Sequence, residues 1–146
     1  LECASLLGRL FCDTWRDTSA TQTDSQPEIL LPVPLHWWRQ WRRGYNQAEE
    51  LARAIGHGLG IPVDSQALRR SRATPPQARL HKRQRQKNLQ NAFVIPPLPY
   101  RHVALIDDVV TTGATAEQLT RGLRQAGVDV VEVWAICRTL RHTSRD

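Results

Sequence analysis

The sequence predicts an α/β fold with a parallel central sheet flanked by helices. Three observations predict it. Apolar runs and amphipathic stretches alternate in the order of strand–helix–strand units. The runs VALI (103–106) and VVEVWAI (130–136) are apolar on both faces, as strands covered on each side should be. Two acids, Asp107 and Asp108, close the first of these runs, and ligands of open α/β sheets bind at the carboxyl ends of strands.

Each element has its own reason. Leu7, Leu10, Phe11 and Trp15 recur at helical spacing, which predicts an amphipathic helix over 3–16 with those residues inward. The polar stretch 17–27 reads as a linker loop. Ile29–Leu35 reads as a buried strand whose prolines end its pairing. Ala48, Leu51, Ala52, Ile55 and Leu59 form one face of a helix over 47–60, capped by Asn46 and closed by Gly60 and Pro62. A weak strand is expected near 67–70. Residues 72–92 are polar, basic and rich in Gln, and read as a mobile loop with a helical turn or two near 80–89. A short strand, 93–95, leads into a turn stiffened by Pro96, Pro97 and Pro99. The last units are a core strand over 102–109, a helix over 114–126 with Ala116, Leu119 and Leu123 inward and Gly127 at its C′ position, and a strand over 130–138. The whole reads as one domain, 1–146, with a tail from 140.

Composition narrows the class. The chain has 146 residues, 40% hydrophobic and 23% charged, with a net charge of +6. No apolar run approaches the ~20 residues of a membrane-spanning helix. Cys3, Cys12 and Cys137 form no CxxC pair, so they read as reduced thiols of a cytoplasmic protein, with no zinc site. No His shows ligand spacing. The chain opens on Leu1 and holds no methionine, as expected of a piece of a longer protein. The positive charge is concentrated. Between Asp64 and Asp107 there is no acid, while Arg69, Arg70, Arg72, Arg79, Lys82, Arg83, Arg85, Lys87 and Arg101 fall there. Such a block implies an anionic partner: a polyphosphate ligand, nucleic acid or an acidic surface.

The stretch after the acids states which anion. Thr111, Thr112, Gly113, Ala114 and Thr115 are all small and run directly into a helix. A tight turn of small residues exposes its backbone N–H groups, and the helix N-terminus adds roughly half a positive charge. Together they fit a phosphate, and the Thr hydroxyls add donors. Carboxylates repel phosphate but accept hydrogen bonds from adjacent sugar hydroxyls. A ribose 5-phosphate therefore spans the gap, its phosphate in the Thr loop and its 2′ and 3′ hydroxyls on Asp107 and Asp108. The same acids could hold Mg²⁺ through water, because Mg²⁺ takes one or two carboxylates plus substrate oxygens.

The segment VALIDDVVTTGAT resembles the 5-phosphoribosyl-1-diphosphate (PRPP) signature of type I phosphoribosyltransferases. Two further stretches, PVPLHWWRQWRRGYNQAEELA (32–52) and ATPPQARLHKRQRQKNLQNAF (73–93), resemble the competence protein F (ComF) family with its GntX-like branch. The resemblance covers about residues 28–140. It implies PRPP and Mg²⁺ at Asp107 and Asp108, and the 5-phosphate on Thr111–Thr115. It also implies a diphosphate loop at Leu35, His36 and Trp37 with Arg42 and Arg43 nearby, and a flexible lid carrying Arg72, Gln77, Arg79, Lys82 and Arg85 beside a small hood. Arg72 and Arg85 are the lid residues expected to act in catalysis, on the leaving diphosphate. The N-terminal zinc-ribbon module usual in the family is missing. Thr111 stands where some purine-salvage relatives carry an acid that serves as base, so the acceptor stays open. No glutaminase domain is visible to supply ammonia. The expected reaction is transfer of ribose 5-phosphate to an unknown acceptor in nucleotide metabolism. The alternative is a non-catalytic PRPP sensor, or a competence-associated protein that binds single-stranded DNA through Trp37, Trp38, Trp41 and their neighbouring arginines.

Overall fold

The computed structural model describes residues 2–19, 25–35, 45–71 and 92–138. In chain order these form α1 (Glu2–Ser19), β1 (Ile29–Pro32), α2 (Gln47–Leu59), β2 (Arg69–Arg70), β3 (Phe93–Val94), β4 (His102–Val110), α3 (Ala114–Gln125) and β5 (Val130–Arg138). Among the described residues the main sheet has the order β1-β4-β5, all parallel, and β2-β3 is a separate antiparallel ribbon. The expected α/β architecture is therefore present.

Strand alternation divides the core in two. Ile29, Leu31, Val103 and Leu105 face α3, where they meet Leu119, Leu123 and Val128. Leu30, Ala104 and Ile106 face the other way, against Leu51, Ala52 and Ile55 of α2 and Cys12 of α1. Val103–Ile106 are fully buried on both sides, as the VALI run requires. Each fully buried Leu or Ile contributes about 1.5–3 kcal/mol.

Capping follows the sequence closely at α2. The Asn46 carboxamide accepts from the Ala48 N–H at 3.1 Å and donates to the Val33 carbonyl at 3.2 Å. One side chain thus starts the helix and ties it to the strand exit. Gly60 closes α2 in the left-handed conformation, φ 70°.

Two expectations need correction. Of the four residues expected on the apolar face of α1, Phe11 and Trp15 pack against the core, whereas Leu10 is 56% exposed and Leu7 38%. Buried instead are Gly8 and Cys12, flanked by half-buried Phe11 and Trp15. A Cβ on Gly8 would lie 2.6 Å from the Ala54 Cβ, and one on Gly58 2.6 Å from the Cys12 sulfur. The helices approach too closely for leucine between them. Phe11 and Trp15 cover Trp134 at centroid distances of 5.1 and 5.7 Å. The α1 helix also runs on to Ser19, into the stretch expected to be loop.

The second correction concerns β5. It is an edge strand among the described residues, with Val130 and Val133 exposed and Trp134 its buried residue. An apolar run does not say which strand ends the sheet. The remaining elements differ only at their ends: β1 stops at Pro32, β2 is Arg69–Arg70 and β3 is Phe93–Val94.

Candidate functional site

The site is built where β4 outruns β1. Pro32 is the last β1 partner, opposite Ile106, and the Val33 N–H still donates to the Ile106 carbonyl at 2.9 Å. Beyond that point β4 keeps its pairing with β5, from Asp107↔Ala135 to Val110↔Arg138. The two acids therefore emerge at the point where the central strand loses one neighbour.

Alternation sends them different ways. Asp107 lines a small cup of about 40 Å³ with Val110, Thr111, Gly113 and Thr115. Gly113 takes φ 78°, which lets the chain turn at once into α3. The Thr112 hydroxyl accepts from the Ala114 N–H at 3.3 Å. Ala114 and Thr115 begin α3, so its positive end faces the cup. Asp108 instead lines a groove of about 660 Å³ walled by Leu7, Tyr45, Leu51, Val109, Ile136 and Cys137. Its Oδ1 accepts from the Val109 N–H at 2.9 Å.

Among the described residues neither acid has a cationic partner. Burial pushes the Asp107 carboxyl up to about 6, helped by a hydrogen bond and charge repulsion from Asp108. Backbone N–H groups of Asp108 and Val109 offset part of this rise, and among the described residues no cation adds to them. No group of three or more His, Cys, Asp or Glu among the described residues could cage a metal. Two carboxylates, with no third such ligand among the described residues, would suit Mg²⁺, which keeps several waters and takes ligand oxygens.

Of the other expected site residues, Leu35 lies in the described exit of β1, half-buried. His36, Trp37, Arg42 and Arg43 lie outside the described residues, as do Trp38, Trp41, Arg72, Gln77, Arg79, Lys82 and Arg85. The groove beside Asp108 was not foreseen. Its walls come from α1, the start of α2 and β5, and no sequence spacing joins them.

This fold defines the class. The chain superposes on the glutamine PRPP amidotransferase from B. subtilis with a TM-score of 0.59 at 17% identity, covering 91% of this chain and 26% of that one. On the purine phosphoribosyltransferase from Pyrococcus horikoshii the TM-score is 0.51 at 17% identity, over 92% of this chain and 72% of that one. The fold is that of a type I phosphoribosyltransferase. No family model matches the chain. Competence protein F of Haemophilus influenzae is 41% identical over 136 residues, 90% of this chain and 59% of that protein. DNA utilization protein YhgH of Escherichia coli is 40% identical over 140 residues, 95% of this chain and 62% of that protein. The chain is a close homologue of these proteins over most of its own length, and it spans about 60% of theirs.

Proposed function

We propose that this chain binds PRPP with Mg²⁺ and transfers its ribose 5-phosphate to an acceptor seated in the groove beside Asp108. The carrying observation is the juxtaposition at the end of β4: an acid pair with no cationic partner among the described residues, then a small-residue cup at the start of α3. The 5-phosphate sits in the cup, on the N–H groups and hydroxyls of Thr111–Thr115. Asp107 and Asp108 accept from the 2′ and 3′ hydroxyls of the ribose and so fix the sugar's face. When bound, Mg²⁺ neutralises charge on the diphosphate, held at these acids through water or PRPP oxygens.

In the reaction the C1–O bond to diphosphate breaks and its electron pair leaves with the diphosphate. An acceptor lone pair forms the new bond to C1, and the acceptor loses a proton to solvent. The ribose is cationic at C1 in between, and the ionised acid pair stabilises that charge. Leu35, His36, Trp37, Arg42 and Arg43 are proposed to hold the diphosphate, with Arg72, Gln77, Arg79, Lys82 and Arg85 closing over it. The groove suits an apolar, planar acceptor with N–H donors, because Asp108 and Glu50 line it and would repel an anion.

A second reading, a non-catalytic DNA-associated protein on the same fold, is favoured by the acid-free basic block between Asp64 and Asp107 and by the relatives' names. Calorimetric titration with PRPP, with and without Mg²⁺, separates the two. Saturable binding that Asp107→Asn/Asp108→Asn abolishes supports the transferase site. No binding by the folded chain refutes it. Binding with no diphosphate released, whatever nucleobase is offered, favours the sensor.

A further inference from the structure

The end of the sheet opposite the acid pair carries a second constellation. His102 opens β4 and Glu132 lies on β5, and alternation sends both to the face that holds Ala104, Ile106 and Trp134. The register sets His102 opposite Val130, so Glu132 is its diagonal neighbour. The His102 Nε2 lies 2.6 Å from Glu132 Oε1. Its Nδ1 lies 3.4 Å from the hydroxyl of Ser25, which comes just ahead of β1. A hydroxyl, an imidazole and a carboxylate thus stand in one hydrogen-bonded row. None of the three lines the cup or the groove at the other end.

Each member is held from behind. Glu132 Oε2 accepts from the Trp134 indole N–H at 2.7 Å, and that indole is buried beneath Phe11 and Trp15. The carboxylate is therefore fixed between two rings. Glu28 Oε1 accepts from the N–H groups of both Arg101 and His102 at 3.1 Å, which clamps the backbone under the imidazole. The His102 side chain is only 12% exposed, so the ring has little room to turn away. Gln26 Nε2 donates to the Leu59 carbonyl at 3.0 Å and Pro27 is buried, which anchors the segment bearing Ser25. Ser25 itself is exposed. The most open member of the row is its nucleophile.

An ionised carboxylate only accepts, so the proton of the neutral ring sits on Nε2. The Nδ1 lone pair is left to accept from the Ser25 hydroxyl, the arrangement of a general base on a nucleophile. The 3.4 Å contact is long, as such pairs often are before substrate binds. The Gln26 N–H, next after the nucleophile, makes no hydrogen bond among the described residues and is a donor available to an oxyanion.

We propose that Ser25 and His102 form a second catalytic centre, with Glu132 as its positioning residue, that hydrolyses short-chain carboxylic esters. The Ser25 oxygen bonds to the ester carbonyl carbon while its proton passes to His102 Nδ1. The bond to the leaving oxygen then breaks with its electron pair, and that oxygen takes the proton from His102. Water next attacks the acyl-serine, its proton passing to His102 and on to the departing Ser25 oxygen. Glu132 keeps the ring in its tautomer and steadies the imidazolium, and it takes no proton. The exposure of Ser25 suits a short acyl chain, which needs no deep pocket. The centre does not depend on the transferase reading.

The test uses the whole chain, with p-nitrophenyl acetate as substrate and a fluorophosphonate as label. The label should add once, on Ser25, as read by peptide mass mapping. Nitrophenolate should appear in a burst equal to the protein, followed by slower turnover. Ser25→Ala should remove the burst and the label at an unchanged melting temperature. His102→Gln should slow both by about 100-fold or more, the usual worth of a positioned base. Glu132→Gln should lower kcat by about 10-fold or more and leave KM in place, a split that a purely structural role would not give. Labelling of Ser25 no faster than in the urea-unfolded chain, or a burst that survives Ser25→Ala, overturns the assignment.

Discussion

Replacing Asp107 by Asn should make this protein more stable at neutral pH. The Asp107 carboxyl sits at about 6 in the folded chain against an ordinary 3.8, raised first by burial and then by Asp108. A displacement of about two units corresponds to roughly 3 kcal/mol, and solvent screening at this half-buried position leaves about 1–2 kcal/mol. The sign is opposite to that of a salt-bridged acid. Between about pH 4 and 6 the folded state holds more protons than the unfolded one, so wild-type stability falls as pH rises through that window. Asn cannot ionise, so the variant should lack this fall. Above pH 7 it gains the full 1–2 kcal/mol, and for a chain this size that is roughly 3–6 °C in melting temperature. Below pH 4 the two proteins should melt together. The assay is thermal unfolding followed by circular dichroism from pH 4 to 8. Parallel profiles for wild type and variant, or a less stable variant at pH 7.5, would refute the claim that burial and Asp108 raise this carboxyl. The stabilised variant should also lose PRPP binding, since a strained acid pair kept in a fold is one kept for a ligand.

Other substitutions test the frame around the site. Asn46→Ala removes both the α2 cap and the tie to Val33, and should cost about 1–2 kcal/mol by urea unfolding with an unchanged slope. Gly8→Val drives side-chain atoms into Ala54, including its backbone carbon 3.3 Å from the new Cβ, and should destabilise by about 1–3 kcal/mol in the same assay. Gly113→Ala forces a Cβ into φ 78°, should cost about 1 kcal/mol, and should weaken PRPP binding in calorimetry by reshaping the cup.

Much of this architecture can be read from the residues alone. The unbroken apolar run VALI, the Asn46 cap, and Gly60 and Gly127 as helix stops all act locally, so the sequence carries them intact. The acid pair and its small-residue turn are local too. What escaped depends on tertiary contact. In α1 two stripes overlap, one of large residues and one of small, and only the close approach of Ala54 and Gly58 selects the small one. The edge position of β5 follows from strand order, which hydrophobicity does not encode. The groove beside Asp108 joins α1, Tyr45 and β5 across the whole chain.

The unequal reach of β1 and β4 also shapes motion. Residues 103–106 are locked by ladder hydrogen bonds on both edges, whereas 107–110 pair, among the described residues, along β5 alone. Amide hydrogen exchange should therefore be slowest through Val103–Ile106 and quicken abruptly at Asp107. The acids ride on the boundary between the most persistent backbone of the molecule and a segment that can open without unfolding the rest. A ligand bridging Asp107 and the Thr cup would clamp that boundary, and its arrival would be recorded as new protection spreading from residue 107 into the first turn of α3.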